Sequence, residues 1–288
     1  MKPLRHMIQH EVHRLVGFGT GEIDLDHGDA GWFGPGSTCW QVHGDFTAMM
    51  IGGVAALMMQ MLHPGALAGV WDHSDFRRDM LGRLRRTAQF IAGTTYGSAA
   101  EAERLVARVR AIHGRVRGFT EDGTPYSADD PALLTWVHVA EVTSFLAAWR
   151  RYRAPAMPGE AQDRYLAETA LIARRLGAQE VPDSRRAVAT YLAAVRPLLR
   201  HGERTATVAA ALFAQPTASP ALAPVRTLML QAGVELLPDW AVAMHGRALP
   251  PIRRSAIRLG ARGMGSVLRW ALRDGSAARA RRRVGAPP

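Results

Sequence analysis

Apolar positions recur three and four residues apart along most of this chain, and almost nowhere do they alternate in the period of two that a half-buried strand requires. The pattern predicts an amphipathic opening helix near 5–17, a shaped glycine-rich loop over 28–45 ("GDAGWFGPGSTCWQVHGD"), and an apolar helix over 45–62 that ends at His63-Pro64. A helix over 74–97 follows, with Ser74 as its expected N-cap. The next opens on Ser98 and Glu101, spaced as a capping box, and is expected to close at Gly118. Another starts from an Asp130 cap with Pro131 in its first turn. Later helices are read at 158–176, 184–200, 204–214, 221–234 and 251–273, with Pro or Gly in the breaks. The fold class is therefore all-α: one helical domain over residues 1–250, followed by a basic helix and flexible tail over 251–288.

One segment tests this reading. From Phe46 to Trp71 there is no formally charged residue, a run long enough to span a bilayer. Gly52-Gly53 interrupts its first half, and Gln60, His63 and Pro64 cluster past its middle, so two buried helices broken at Pro64 are expected. The start of the chain has charges and histidines throughout and no apolar signal core, which points to a cytoplasmic protein. Cys39 is the sole cysteine, so no internal disulfide and no cysteine-cluster metal site can form.

Charge sharpens the picture at one end. Residues 251–288 hold ten arginines against Asp274, so +9 of the net +11 lies there and the body is near neutral. Trp270 is the only aromatic in that tail available for base stacking, which argues against nucleic acid as partner. A solvated helix end is one reading. Peripheral contact with anionic lipid is another, since "IRLGARGMGSVLRWALR" mixes apolar residues and arginines in helical alternation.

The candidate chemistry lies in histidines, arginines and a hydroxyl, and no phosphate loop, dinucleotide fingerprint or nucleophile elbow is present. His6, His10 and His13 share a helix face, but no carboxylate completes a metal set, so a solvated face is expected. His113 shares its helix side with Val106, Val109 and Val116. Burial there keeps an imidazole neutral, with a lone pair free either for a hydrogen bond in the core or for a metal. Arg83 and Thr87 lie one turn apart, with Arg86 adjacent and Phe90 further along, either as a solvated face or as a polar patch on a cleft wall. His138, with Glu141 a turn later, is a reserve ligand. His63 is read as the cap of the turn at Pro64. The methionines of "MMIGGVAALMMQML" are read chiefly as core, with an adaptable apolar channel as the other reading.

Five ordered blocks, "GWFGPGSTCWQVHGD", "LMMQMLHPGALAGVWDHSDF", "RLRRT", "VRAIHGRVRG" and "DDPALLTWVH", resemble those of the MpaB/rubber-oxygenase family, which includes the latex-clearing proteins. The resemblance covers roughly residues 28–200, with a weaker echo at 237–251. It implies a globin-like helical core binding haem b, with His113 as the iron ligand and Arg83 and Thr87 on the distal side. It further implies an oxygenase that uses dioxygen to attack an alkene or isoprenoid chain. Latex-clearing proteins have a lysine at the position of Arg86. A guanidinium stays protonated and has no lone pair for iron, so an open or water-held sixth position is expected. No acid matches the distal glutamate of those proteins; Asp72 and Asp75 are nearest. The alternatives are a haem-binding sensor or carrier without turnover, and a cofactor-free protein docking on membranes through its arginine tail.

Overall fold

The computed structural model describes residues 5, 6, 8, 9, 12, 24–215, 222–272 and 274–286. His10 and His13, and most of the expected opening helix, lie outside them. The described chain is all-α apart from one small hairpin. The first helices are α1 (Thr38–His43), α2 (Phe46–Gln60), α3 (Pro64–His73), α4 (Phe76–Tyr96) and α5 (Ala99–His113). After the strands β1 (Arg117–Phe119) and β2 (Pro125–Ser127) come α6 (Pro131–Tyr152), α7 (Gly159–Leu176), α8 (Arg185–Val195) and α9 (Glu203–Phe213). The chain closes with α10 (Ala223–Leu236), α11 (Asp239–Met244), α12 (Pro251–Ala271) and α13 (Ser276–Arg283).

The centre of the fold is α2 laid along α6, with α10 on another side of α2. A helix apolar all round has to be buried all round, and glycines set how closely its neighbours approach. A Cβ on Gly52 would come within 2.8 Å of a Phe145 ring carbon and 3.0 Å of the Ser144 carbonyl on α6. Gly233 on α10 sits similarly against Val54. The uncharged run thus folds as two helices that meet at 104°, the second capped by His63, whose Nδ1 accepts the Gly65 N–H at 3.2 Å. By length and composition α6 is apolar enough to cross a membrane, and here it forms the core wall opposite α2.

Several local expectations are corrected. The glycine-rich loop contains α1, capped by Ser37, and Glu168 of α7 accepts the Thr38 and Cys39 N–H groups at its start. Ser74 closes α3 instead of opening α4, whose N-cap is Asp75. At Asp79 the backbone leaves the helix, and its carboxylate accepts the Gly82 N–H at 2.7 Å, restarting α4 as a capped helix. The helix holding His113 ends at Gly114, four residues before Gly118. Gly118 instead lies in the antiparallel hairpin β1–β2, opposite Tyr126, whose hydroxyl donates to Asp72 on α3 at 2.9 Å. Strands of three residues are too short to show alternation. The Asp130–Pro131 start of α6 and the Ser98 cap of α5 are as expected.

The arginines of 251–288 are mostly engaged within the protein. Helix α12 turns Ile257, Ala261, Gly265, Leu268 and Ala271 inward against α10 and α2. Arg258 and Arg151 converge on the buried Glu235 carboxylate, and Arg269 binds Asp45, the N-cap of α2, at 2.9 Å. On α13, Arg279 pairs with Asp26, Arg282 with Asp274, and Arg283 donates to the Leu25 carbonyl.

Candidate active site

Between α2, α4, α6 and the α12–α13 corner lies a cavity of about 950 Å³. Gly53 of α2 lines it, and a Cβ there would meet nothing within 4 Å. Met49, Met50, Leu84, Ile91 and Phe145 make its walls largely apolar. The methionines therefore divide: Met49 and Met50 line the cavity, while Met58 and Met59 are core.

Its inner polar groups come from α1, α2, α4 and α6. His43 of α1 is buried and both ring nitrogens are committed, Nδ1 with the Thr95 hydroxyl at 2.8 Å and Nε2 with the Tyr165 hydroxyl at 2.9 Å. Burial, aided by nearby His138, lowers its pKa to about 3, so the ring is neutral. The Cys39 sulfur lies 3.7 Å from Nδ1, and burial pushes its thiol far up, so it is no thiolate. Glu141 of α6 also lines the cavity, and burial raises its carboxyl to about 7. Among the described residues it has no hydrogen-bond or ion-pair partner.

The residues singled out from sequence are only partly brought together. Thr87 is exposed to the cavity it lines, and its hydroxyl donates to the Arg83 carbonyl at 3.3 Å. Arg83, one turn earlier, is half-buried and has no partner among the described residues. Burial, with Arg86 beside it, draws its pKa down to about 10. Arg86 is exposed and lies 3.8 Å from Asp79 at the α4 kink. His113 stands in the last turn of α5. Its Nδ1 is buried without a partner, and desolvation outweighs the Asp129 charge to lower its pKa. Because α4 and α5 join through Gly97-Ser98, Arg83 and His113 both lie at the far end of that pair from the turn. His138 is buried within α6, its Nε2 unpartnered and its pKa lowered to about 4 by burial. His113, His138, Arg83 and Arg86 are not among the cavity's lining residues.

The donor set nonetheless suits the haem that the resemblance implies. An imidazole kept neutral by burial, with one ring nitrogen orphaned, is what an iron ligand needs. A desolvated, uncommitted guanidinium at the same end of the helix pair suits an anionic propionate or a polar oxygen species.

Sequence reasoning overlooked His43 and passed over Glu141. A signal for the second was present: between Asp130 and Arg150, Glu141 is the one formally charged residue in an otherwise apolar helix. For His43 there was none, since its value lies in partners 52 and 122 residues away.

Over residues 40–270 the chain matches the family model of the catalytic domain shared by the ER-bound oxygenases mpaB and B′ and by rubber oxygenase. No curated protein and no solved structure matches it.

Proposed function

Because this chain belongs to the family of mpaB/B′ and rubber oxygenase catalytic domains, we propose that it is a haem b-dependent oxygenase that uses dioxygen to attack the double bond of an apolar, isoprenoid-type molecule. The observation that carries this reading is the 950 Å³ cavity with largely apolar walls, reached on one side by Thr87. A pocket of that size buries a long hydrocarbon and leaves few polar groups to orient it. His113 would hold the haem through its orphaned nitrogen. When bound, the haem supplies the redox chemistry that dioxygen needs to react with a closed-shell alkene. Arg83 contributes a charged hydrogen-bond donor, and Thr87, whose hydroxyl donates to the Arg83 carbonyl, brings a neutral polar group to the cavity one turn further on. Arg86, drawn toward Asp79, would offer the iron no ligand, because a guanidinium has no lone pair to give. The alternative, a haem sensor or carrier, shares the ligand and differs in turnover.

The test is spectroscopic first. Protein purified after expression with ample haem should show a Soret band and a ferric spectrum free of amine ligation. His113→Ala should lose the band while keeping its helical circular dichroism. With squalene as probe, the unmodified protein should consume oxygen; Arg83→Ala should keep haem but slow uptake roughly tenfold or more, the worth of a charged hydrogen bond, and Thr87→Ala should slow it by less. A normal Soret band in His113→Ala would move the ligand to His138 or remove it. Haem binding without oxygen uptake would leave the carrier.

We also propose that the protein docks peripherally on anionic lipid through the outer face of α12. Ile252, Leu259 and Val267 are 81%, 73% and 50% exposed there, beside Arg253 and Arg262. The arginines after residue 274 are committed to internal partners, so the docking face lies on α12 and not at the chain's end.

A further inference from the structure

A carboxyl group facing an apolar cavity without a partner is expensive to keep, because its charged form is desolvated and its neutral form has a donor left unused. Glu141 is in that position. It projects from the central wall helix into the cavity, and among the described residues no hydrogen-bond donor, cation or acceptor satisfies it. Its neighbours are already spoken for. Both nitrogens of His43 are held by Thr95 and Tyr165, and the Tyr96 hydroxyl donates to the Trp40 carbonyl. Among the described residues nothing completes the group, and a ligand in the cavity can.

The charge around the cavity selects among ligand ends. Along the rim, Arg269, Arg279 and Arg282 are held by Asp45, Asp26 and Asp274, and with Arg281 four cations face three carboxylates, so an ammonium entering there meets at most a weak positive field. A carboxylate entering past them would end beside another carboxyl group. A neutral oxygen acceptor meets neither penalty. We propose that Glu141 is the recognition residue of this cavity, donating a hydrogen bond from its carboxyl group to the carbonyl oxygen of an otherwise apolar ligand. The inference rests on the reading of the cavity as the substrate site and narrows the substrate, or the product, to a long-chain ketone or aldehyde.

The surroundings make the interaction pH-dependent in a simple way. His43 from α1 and His138 from α6 are neutral, with pKa values near 3 and 4. Tyr165 from α7 and Tyr96 from α4 are held well above their ordinary value by burial. Arg269 from α12 is locked to Asp45, and α2 presents no titratable side chain to the cavity. Between about pH 6 and pH 9, then, Glu141 is the group that changes charge among the described residues of this wall, passing through about 7. Below that value it donates, and above it only accepts, which a carbonyl cannot use.

The experiment is displacement of Nile red from the purified protein by four probes of matched chain length: dodecane, decyl methyl ketone, dodecylamine and dodecanoate. At about pH 6 the ketone should compete at roughly tenfold lower concentration than dodecane, the worth of one well-made hydrogen bond. That advantage should vanish by about pH 9. Glu141→Gln, whose amide donates at any pH, should keep the advantage at both, and Glu141→Leu should abolish it while dodecane still competes. Equal competition by ketone and dodecane at low pH, or tightest binding by dodecylamine, would overturn the assignment. Failure of the cavity reading looks different: Nile red would be displaced by none of the probes, and Gly53→Leu, which puts a side chain into the open space, would leave dye binding unchanged.

Discussion

Glu141 and the buried histidines pull the stability of this protein in opposite directions with pH. Between the ordinary carboxyl value of 4.5 and about 7, the folded protein keeps a proton on Glu141 that the unfolded chain has released. Stability therefore falls as pH rises through that window, and the full loss, on the order of 3 kcal/mol, is present above it. His43 and His138 have folded values near 3 and 4 against 6.5 unfolded, so stability falls as pH drops below 6.5. Two histidines outweigh one carboxyl group until the unfolded imidazoles have lost their protons, so the expected outcome is a stability maximum near neutral pH. Glu141→Gln should raise the urea midpoint at about pH 8 and leave it nearly unchanged at about pH 4.5. An equal gain at both values would show that the carboxyl group is not held neutral by burial.

Adjacent glycines on α2 do opposite jobs, and substitution should separate them. In a helix interior, alanine is preferred to glycine by about 1 kcal/mol. At Gly53, where the cavity leaves room for a Cβ, that preference should appear as a gain in stability. At Gly52 the same methyl group meets Phe145 and the α6 backbone, an overpacking that costs about 1–3 kcal/mol and outweighs the propensity. Gly52→Ala should therefore lower the urea midpoint and Gly53→Ala raise it. Two changes of the same sign would mean that α2 and α6 are not in this register. The glycine pair was visible in the sequence as an interruption of an apolar run. Which member packs and which opens a cavity depends on where α6 lies, and no local pattern encodes that.

The distribution of arginines has consequences for the molecule as a whole. Read along the chain, they make a basic tail; in the fold, most pin α12 and α13 onto the body, and Arg258 with Arg151 neutralises the buried Glu235. The surface proposed to meet a membrane is the exposed stripe of α12. Leu259→Ser should weaken co-sedimentation with phosphatidylglycerol vesicles roughly tenfold, in line with the burial of one leucine. Arg279→Ala should change it little, because that guanidinium is engaged by Asp26. Binding should also weaken steeply with added salt. The reverse ranking of the two variants would return the membrane contact to the end of the chain.

Helical periodicity, the Ser98 and Asp130 caps and the break at His63-Pro64 are properties of short segments, and the sequence alone determined them, together with the all-α class and the confinement of charge to one end. The family blocks singled out His113, Arg83 and Thr87 on the same local basis. The cavity, the committed state of His43, the uncommitted state of Glu141 and the pairing of Arg269 with Asp45, 224 residues away, belong to the tertiary structure. The reason is physical. Whether a polar group is paired or free, and how far its charge is penalised, depends on the solvent excluded by helices distant in sequence, and that exclusion exists only once α1, α2, α4, α6 and α12 have packed together.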